Sequence, residues 1–346
     1  MSGAPALHEL DVGATRVYAL PLRERFRGIT VREGLLLRGP AGWGEFCPFP
    51  EYDDEVAVPW LATALEASWT GWPEPRRASI EVNATVPAVG PGRAREMVAG
   101  SGCRTAKVKV ADGPGSLAAD AARVAAVREA LGPEGAVRVD ANGRWDVDTA
   151  VHALAELDRA AGGLQYAEQP CATTAELAAV RRRTHVPVAA DESIRTARDP
   201  LAVALAGAAD VAVIKCTPLG GVRRSLAVAE QVAGAGGLPC VVSSALETSV
   251  GLAAQLALAG ALPRADLACG LGTVALFTGD VVAEPLLPVG GRLPVPRTAP
   301  EPDPDLLDRH ACTDPARVRW WRERLVRVHG LLAEWTAAEG GTTLSP

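Results

Sequence analysis

Lysine occurs three times in this chain of 346 residues, at Lys107, Lys109 and Lys215, although lysine and arginine together number 35. Arginine supplies the rest of the positive charge. The two differ in chemistry: a guanidinium stays protonated, whereas a buried ammonium can be brought into the working range of a base. Lys107 and Lys109 lie in Thr105-Ala106-Lys107-Val108-Lys109-Val110, where the two-residue period of a strand puts both amines on one face and the valines on the other. Lys215 ends the apolar run that starts at Asp210. Lysines at strand edges also act as simple guards against edge pairing, but a chain that uses arginine everywhere else singles these three out for chemistry.

Three successive strand-like runs end in acids: Val137 to Asp140, with Asn142 two residues on; Leu164 to Glu168; and Val186 to Asp191, followed by Glu192. Any one of these acids could cap the next helix or sit in a solvated loop. Three in register, flanked by lysines on both sides, point instead to convergence of Asp140, Glu168 and Asp191, and like charges that close require a cation. Oxygen ligands without a nearby His or Cys favour Mg²⁺ or Mn²⁺. A divalent ion facing amines suits removal of a proton α to a carboxylate, with the ion stabilising the enediolate and an amine taking the proton. Lys109, with Lys107 beside it and the divalent ion close by, is predicted to have a pKa depressed towards neutrality. Lys215 then serves as second base or as a cation. The histidines at 8, 152, 185, 310 and 329 miss every predicted strand C-terminus, which leaves no Ser-His-Asp arrangement. A Schiff-base aldolase would also need a barrel lysine, but no metal.

Positioning these groups is the task of the segment from about 80 to 275, where strand-like runs alternate with alanine-rich amphipathic stretches such as Ser116 to Leu131, Asp148 to Ala161 and Thr174 to Thr184. Eight strands are predicted, from Ser79–Ala84 to Ala265–Cys269, at the period of a parallel (β/α) barrel. In such a barrel the side chains at strand C-termini share one mouth. An open doubly wound sheet would bring a Gly-rich phosphate turn; Val89-Gly90-Pro91-Gly92 lacks that spacing. Residues 1–78 read as a separate α+β module, with strands at Arg16–Leu20, Gly34–Arg38 and Gly42–Phe46, a loop over Arg23–Thr30 and a helix from Asp53 to Trp69. After the barrel segment 79–285, residues 286–346 end in a helix that starts at Thr313-Asp314-Pro315. Its stripe of Val318, Trp321, Leu325, Val328 and Leu332 is expected to pack back on the first module.

Composition narrows the partners. With 48% hydrophobic residues, a net charge of −6 and 4% aromatics, there is neither a basic face nor a stacking platform for nucleic acid. The run Arg181-Arg182-Arg183 is read as a helix C-terminal cap rather than a phosphate site. Neither a signal-like N-terminus nor a membrane span is evident, so a cytoplasmic protein with a small-molecule substrate is expected. The seven cysteines occur singly, as buried thiols rather than zinc ligands or disulfides.

The motifs Lys107-Val108-Lys109, Val139-Asp140-Ala141-Asn142, Glu168-Gln169-Pro170, Ala190-Asp191-Glu192-Ser193 and Lys215-Cys216-Thr217-Pro218-Leu219-Gly220-Gly221, in that order, resemble the enolase superfamily and its muconate-lactonizing-enzyme-like subgroup. That resemblance implies an α/β fold, a modified TIM barrel (β/α)₇β closed by a cap made of the N-terminal region and the C-terminal helix. It implies Asp140, Glu168 and Asp191 as Mg²⁺ ligands and Lys109 and Lys215 as acid/base residues. Lys107, Asn142, Glu192, Ser243, Ser244 and Arg27 would bind substrate or support the ligands. Gly42 to Pro50 resembles the cap's second substrate loop. Ser243 to Gly251 is similar to the seventh-strand segment of o-succinylbenzoate synthases, which implies syn dehydration of a succinyl-hydroxycyclohexadiene carboxylate, a dicarboxylate. Racemases of N-succinylamino acids, dipeptide epimerases and muconate cycloisomerases share the frame. Dipeptide epimerases commonly add an acidic motif on the last strand, and Cys269 to Thr273 has none. The resemblance also makes Arg25 or Arg27 a candidate contact for the succinyl carboxylate.

Overall fold

The N-terminal strands run further than expected. β1 (Arg16–Phe26), β2 (Ile29–Gly39) and β3 (Gly42–Phe46) form an antiparallel sheet in that order. The computed structural model describes residues 5–195 and 201–340; the outer ends of the two flanking segments lie outside the described residues. In place of the expected loop over Arg23–Thr30, β1 and β2 continue to a Phe26–Ile29 pair and turn through Arg27 and Gly28, both at positive φ (49° and 83°). That is the two-residue turn whose twist suits a hairpin. The charges of Arg23, Glu24 and Arg25 disguise an alternation in which Leu20, Leu22 and Phe26 are buried. β3 lies against α1 (Asp54–Leu65) so closely that a Cβ at Gly44 would collide with the Ala64 carbonyl oxygen.

β4 (Ser79–Glu81) stays out of the large sheet. The seven parallel strands are β5 (Ala84–Val86), β6 (Thr105–Lys109), β7 (Ala136–Asp140), β8 (Leu164–Glu168), β9 (Val188–Ala190), β10 (Val211–Ile214) and β11 (Cys240–Val242), paired in sequence order. Between them run α2 (Pro91–Ser101), α3 (Leu117–Leu131), α4 (Val147–Ala161), α5 (Thr174–Arg181), the short α6 (Glu192–Arg195), α7 (Leu201–Leu205) and α8 (Cys216–Leu219), and α9 (Val222–Gly236), with α10 (Ser249–Ala261) after β11. Two predicted strands need correction. The first begins at Ala84, because Ser79–Glu81 pairs antiparallel with β12 (Arg292–Pro294). The last, 265–269, makes only single parallel bridges, Cys269 with Val82 and Gly270 with Ser243; Asp266 and Gly270 leave too short an apolar run for a ladder.

The valine-rich outer face of the sheet packs on the helices in one continuous core. On the inner face, Tyr166, Ala189, Val211, Val213 and Val241 form a second cluster. Below them the fully buried Arg138 of β7 reaches the Asn83 side chain (3.2 Å) and the Ala268 carbonyl (2.6 Å). A side chain from a middle strand meets residues flanking the sheet's edge because the sheet is curled.

After α11 (Pro304–Arg309), the terminal α12 (Pro315–Gly340) packs on α1, with Trp321, Leu325, Val328 and Leu332 buried beside Phe46 and Trp60, as its stripe predicts. Of the run Arg181–Arg183, Arg182 caps α5 through its backbone N–H to the Ala178 carbonyl, while the Arg181 side chain pairs with Asp210. All seven cysteines are free thiols. Among the described residues no helix is long and apolar enough to cross a membrane.

One buried carboxylate ties the N-terminal sheet to α10. Glu45 of β3 accepts hydrogen bonds from the Tyr18 hydroxyl, the backbone N–H groups of Thr248 and Gly251 and the Thr248 hydroxyl, so it caps a helix from outside the helix's own chain segment. Glu45→Gln turns an amide nitrogen towards these donors. A loss of about 2 kcal/mol of unfolding free energy is expected in urea titrations, and a stability equal to that of the parent would remove the cap from the tie.

Candidate active site

Strands β6 to β10 end around one cavity. It is lined by Lys107, Lys109, Asp140, Asn142, Glu192 and Lys215 from these strand ends, by Ser243 to Leu246 after β11, and by Phe26 and Arg27 from the hairpin tip. Alternation along β6 sends both Lys107 and Lys109 inward. Register places Lys109 beside Asp140 and Asp140 beside Glu168. The predicted Glu168 and Asp191 do not line the cavity but lie under it, each joined to a lysine.

Each carboxylate accepts a hydrogen bond from a lysine, and Asp140 has Lys107 as a second ammonium 3.5 Å away. Lys107 Nζ donates to Glu168 at 2.5 Å, Lys109 Nζ to Asp140 at 2.5 Å and Lys215 Nζ to Asp191 at 2.5 Å. The three carboxylates are 1% exposed and the lysine side chains 7, 15 and 10%. Lys109 Nζ also donates to Asn142 Oδ1 at 2.7 Å, and Asn142 Nδ2 to Glu192 at 3.2 Å. The whole lysine content of the protein is therefore spent on one site.

Its two neighbouring lysines are tuned apart. Burial, with help from the Lys107 charge, lowers the Lys109 pKa against the pull of Asp140. The sequence predicts this direction from the cationic neighbours, Lys107 and the ion, whereas burial is the larger effect. For Lys107, burial is outweighed by Glu168 and Asp140, which raise its pKa and keep it protonated. The two amines, two residues apart on one strand, thus differ in proton affinity, Lys109 holding its proton less tightly than Lys107.

The fit to a divalent cation can be judged from the donors. Among the described residues no three acidic, His or Cys side chains are already gathered at metal-ligand spacing, because a lysine stands against each carboxylate. Nevertheless Glu168 Oε2 is buried without a hydrogen-bond partner, and burial together with Asp140 and Asp191 pushes Glu168 up to about 7. At Glu168, burial and the neighbouring carboxylates thus outweigh the lysine it holds, whereas Lys109 and Lys107 hold Asp140 below the ordinary carboxylate range. An all-oxygen set of this kind suits a hard dication.

Backbone strain gathers at the same place. The described non-glycine residues with positive φ are Arg27, Ala111, Asn142, Gln169 and Leu246, each in the cavity wall or within two residues of a lysine or carboxylate named above. Strain of this type persists where surroundings enforce it, commonly at functional sites. A Cβ at Gly270 would lie 2.6 Å from Ser243 Oγ, so glycine there leaves room for that hydroxyl. Ser244 Oγ pairs with Thr273 Oγ1 at 2.7 Å. Phe26, Thr85, Ala245, Leu246 and Thr273 were missed by sequence reasoning. No local pattern marks them; only the alternation of Leu20, Leu22 and Phe26 could have placed Phe26 on an inward face.

Residues 92–300 match the "Enolase C-terminal domain-like" family and residues 17–68 the "Enolase N-terminal domain-like" family. The chain belongs to the enolase superfamily. Superfamily sites in general pair a Lys or His base with bound divalent metal, a property of the group and not a result of the distances above. The chain is 62% identical over 282 residues to the o-succinylbenzoate synthase of Thermobifida fusca (strain YX), covering 82% of this chain and 87% of that one. It is 53% identical over 332 residues to the o-succinylbenzoate synthase of Mycolicibacterium smegmatis, covering 96% and 99%. Its fold is similar to the crystal structure of 2-chloromuconate cycloisomerase from Rhodococcus opacus 1CP, with a TM-score of 0.72 and 26% identity over 86% of this chain and 98% of that one. The superfamily resemblance of the ordered motifs is thereby borne out.

Proposed function

We propose that this protein is an o-succinylbenzoate synthase, a hydro-lyase that dehydrates 2-succinyl-6-hydroxy-2,4-cyclohexadiene-1-carboxylate to 2-succinylbenzoate on the way to menaquinone. The observation that carries this reading is the Lys109–Lys215 pair in one cavity above three buried carboxylates, in a chain 62% identical to a synthase. Asp140, Glu168 and Asp191 hold Mg²⁺, for which Mn²⁺ can substitute. When bound, the ion supplies positive charge that favours the enediolate form of the substrate carboxylate.

Lys109, the amine with the lowered pKa, takes the proton from the carbon bearing the carboxylate. The ring C–O bond then breaks, the electron pair from the C–H bond completes the aromatic ring, and Lys109 returns its proton to the departing hydroxide as water. Proton removal and hydroxide departure occur on one face, so a single amine suffices. Lys107 stays protonated next to Glu168 and Lys215 next to Asp191, both as positive charge facing the substrate. Asn142 orients Lys109, and Glu192 in turn holds Asn142. Ser243, Ser244 and Arg27 contact the substrate's two carboxylates, with Arg27 at the succinyl end.

The architecture that serves this reaction is a modified (β/α)₇β barrel in which Cys269–Gly270 closes the ring next to Val82 and Ser243. Residues 79–285 make the barrel, and residues 1–78 and 286–346 make the cap. The enzyme is cytoplasmic and takes a small dicarboxylate, without nucleic-acid or membrane partners. Racemisation of N-succinylamino acids is the second reading, favoured by one observation: Lys109 and Lys215 reach the cavity from β6 and β10, with three strands between them, as a proton exchange on two faces requires.

Purified protein with Mg²⁺ and the cyclohexadiene substrate should show rapid loss of the diene absorbance, abolished by EDTA. α-Proton exchange of N-succinylamino acids in D₂O without dehydration would move the assignment to a racemase. Activity that survives EDTA, with borohydride trapping of an imine, would overturn both.

A further inference from the structure

One stretch of the cavity wall, Ala245 and Leu246, is held by a residue of the N-terminal sheet. Arg32 of β2 is fully buried. Its Nε donates to the Leu246 carbonyl at 3.0 Å, and its Nη2 to the Ala245 carbonyl at 3.4 Å and to the Cys47 carbonyl. Ala245 and Leu246 both line the cavity.

Leu246 has φ 69°, a left-handed conformation that a leucine keeps only when its neighbours enforce it. The surrounding bonds do this from both sides of the segment. Leu246 N–H donates to Ser244 Oγ at 2.8 Å and Ala245 N–H to Glu247 Oε2 at 2.8 Å, while both carbonyls turn to Arg32. The N–H anchors come from the same short segment. Thr273 holds Ser244 and Glu45 holds Thr248 on either side, but Arg32, 214 residues away from Leu246, is the side chain that reaches the two carbonyls of the strained pair itself, and so it fixes how that pair sits between those ties. Its guanidinium also lies 4.1 Å from the Phe49 ring centroid, and the Arg27 guanidinium lies 4.4 Å from the same ring. Phe49 thereby couples Arg32 to a second cavity-lining side chain.

We propose that Arg32 is a positioning residue for substrate binding, which fixes the Ala245–Leu246 wall and, through Phe49, the hairpin tip at Arg27. This rests on the dehydration reading of the cavity. Lys109 and the three carboxylates make no bond to Arg32, so its loss should act on the fit of substrate rather than on the chemical step.

The test is steady-state kinetics of Arg32→Lys, which keeps the charge but cannot fork between two carbonyls. KM for the cyclohexadiene substrate should rise about tenfold or more with kcat within about threefold of the parent. A merely structural role would lower the melting temperature and the active fraction without moving KM. Glycine takes a left-handed backbone without help, so in a Leu246→Gly background the same substitution should raise KM by a clearly smaller ratio. Equal ratios in both backgrounds, or an unchanged KM in folded Arg32→Lys, would overturn the proposal. If Arg32→Lys does not fold, Phe49→Leu takes its place, with a KM rise of about threefold at unchanged kcat expected and an unchanged KM overturning it. Failure of the functional reading is separate: the parent protein would then dehydrate nothing, and the KM comparison would be made on N-succinylamino acid exchange.

Discussion

Lys109→Arg lowers kcat for dehydration by about four orders of magnitude while the protein keeps its fold. The magnitude is the upper end of what a positioned base contributes, and it is expected because the proposed mechanism has the same group take the proton and return it to the leaving hydroxide. Arginine retains the positive charge next to Asp140, which accepts from Lys109 at 2.5 Å, so the charge survives and only the ability to become a neutral base is lost. Single-turnover absorbance decay with matched circular dichroism spectra checks it. Retention of more than about a tenth of parental kcat would take the base role away from Lys109, since a tenfold loss is far below a general base's share. The lowered pKa of Lys109 also gives the sign of the pH profile. Activity rises as pH climbs through that pKa and the amine becomes neutral, and the limb begins below the ordinary lysine range.

Asp191→Asn has two expected effects that separate in experiment. Affinity for Mg²⁺ falls on the order of a hundredfold or more, because even partners one bond removed from a metal commonly cost ten- to a hundredfold. Calorimetric titration reads this directly. In EDTA the variant should also unfold about 3 kcal/mol more easily, because Lys215 keeps a buried ammonium without the carboxylate that neutralises it; Lys215 and Asp191 lie 2.5 Å apart and are both buried. Asp266→Asn, an exposed acid 3.8 Å from Arg264, is the control and should change neither quantity. Unaltered metal affinity in Asp191→Asn would remove that residue from the ligand set, and an unaltered apo stability would show that the pair contributes nothing in the absence of metal.

The chemical residues were legible because each announces itself locally. Alternation in β6 placed both lysines on one face, and Asp140, Glu168, Asp191 and Lys215 each close an apolar run, so strand direction alone put them at one end of the sheet. Position beneath or beside the cavity was not legible. Glu168 and Asp191 are covered by lysines, a matter of side-chain reach across strands. The contributions from outside the sheet were hidden altogether. Arg32 reads as one more charged residue in a strand, yet it is buried because its partners are carbonyls of Ala245 and Leu246, and nothing periodic links position 32 to position 246. The sequence predicts a loop at the hairpin tip because charged residues fill the outward positions of its strands. The strand expected at 265–269 failed for the opposite reason, an apolar run too short to pair along its length. The pKa of Lys109 was anticipated in direction but not in cause, because burial depends on the closed fold and like charge on sequence alone.

The confinement of all three lysines to one site makes the protein's amine chemistry a direct view of that site. Apart from the chain's own α-amino group there is no other primary amine to react, and Lys107, Lys109 and Lys215 are shielded in the closed fold. A protein grown on ζ-¹⁵N-lysine would give three side-chain resonances, every one reporting on the reaction centre, without assignment against a background of surface lysines. Amine-directed reagents and lysine-specific proteases would likewise see almost nothing until the ends of β6 and β10 open, so their rates would measure the frequency of that opening.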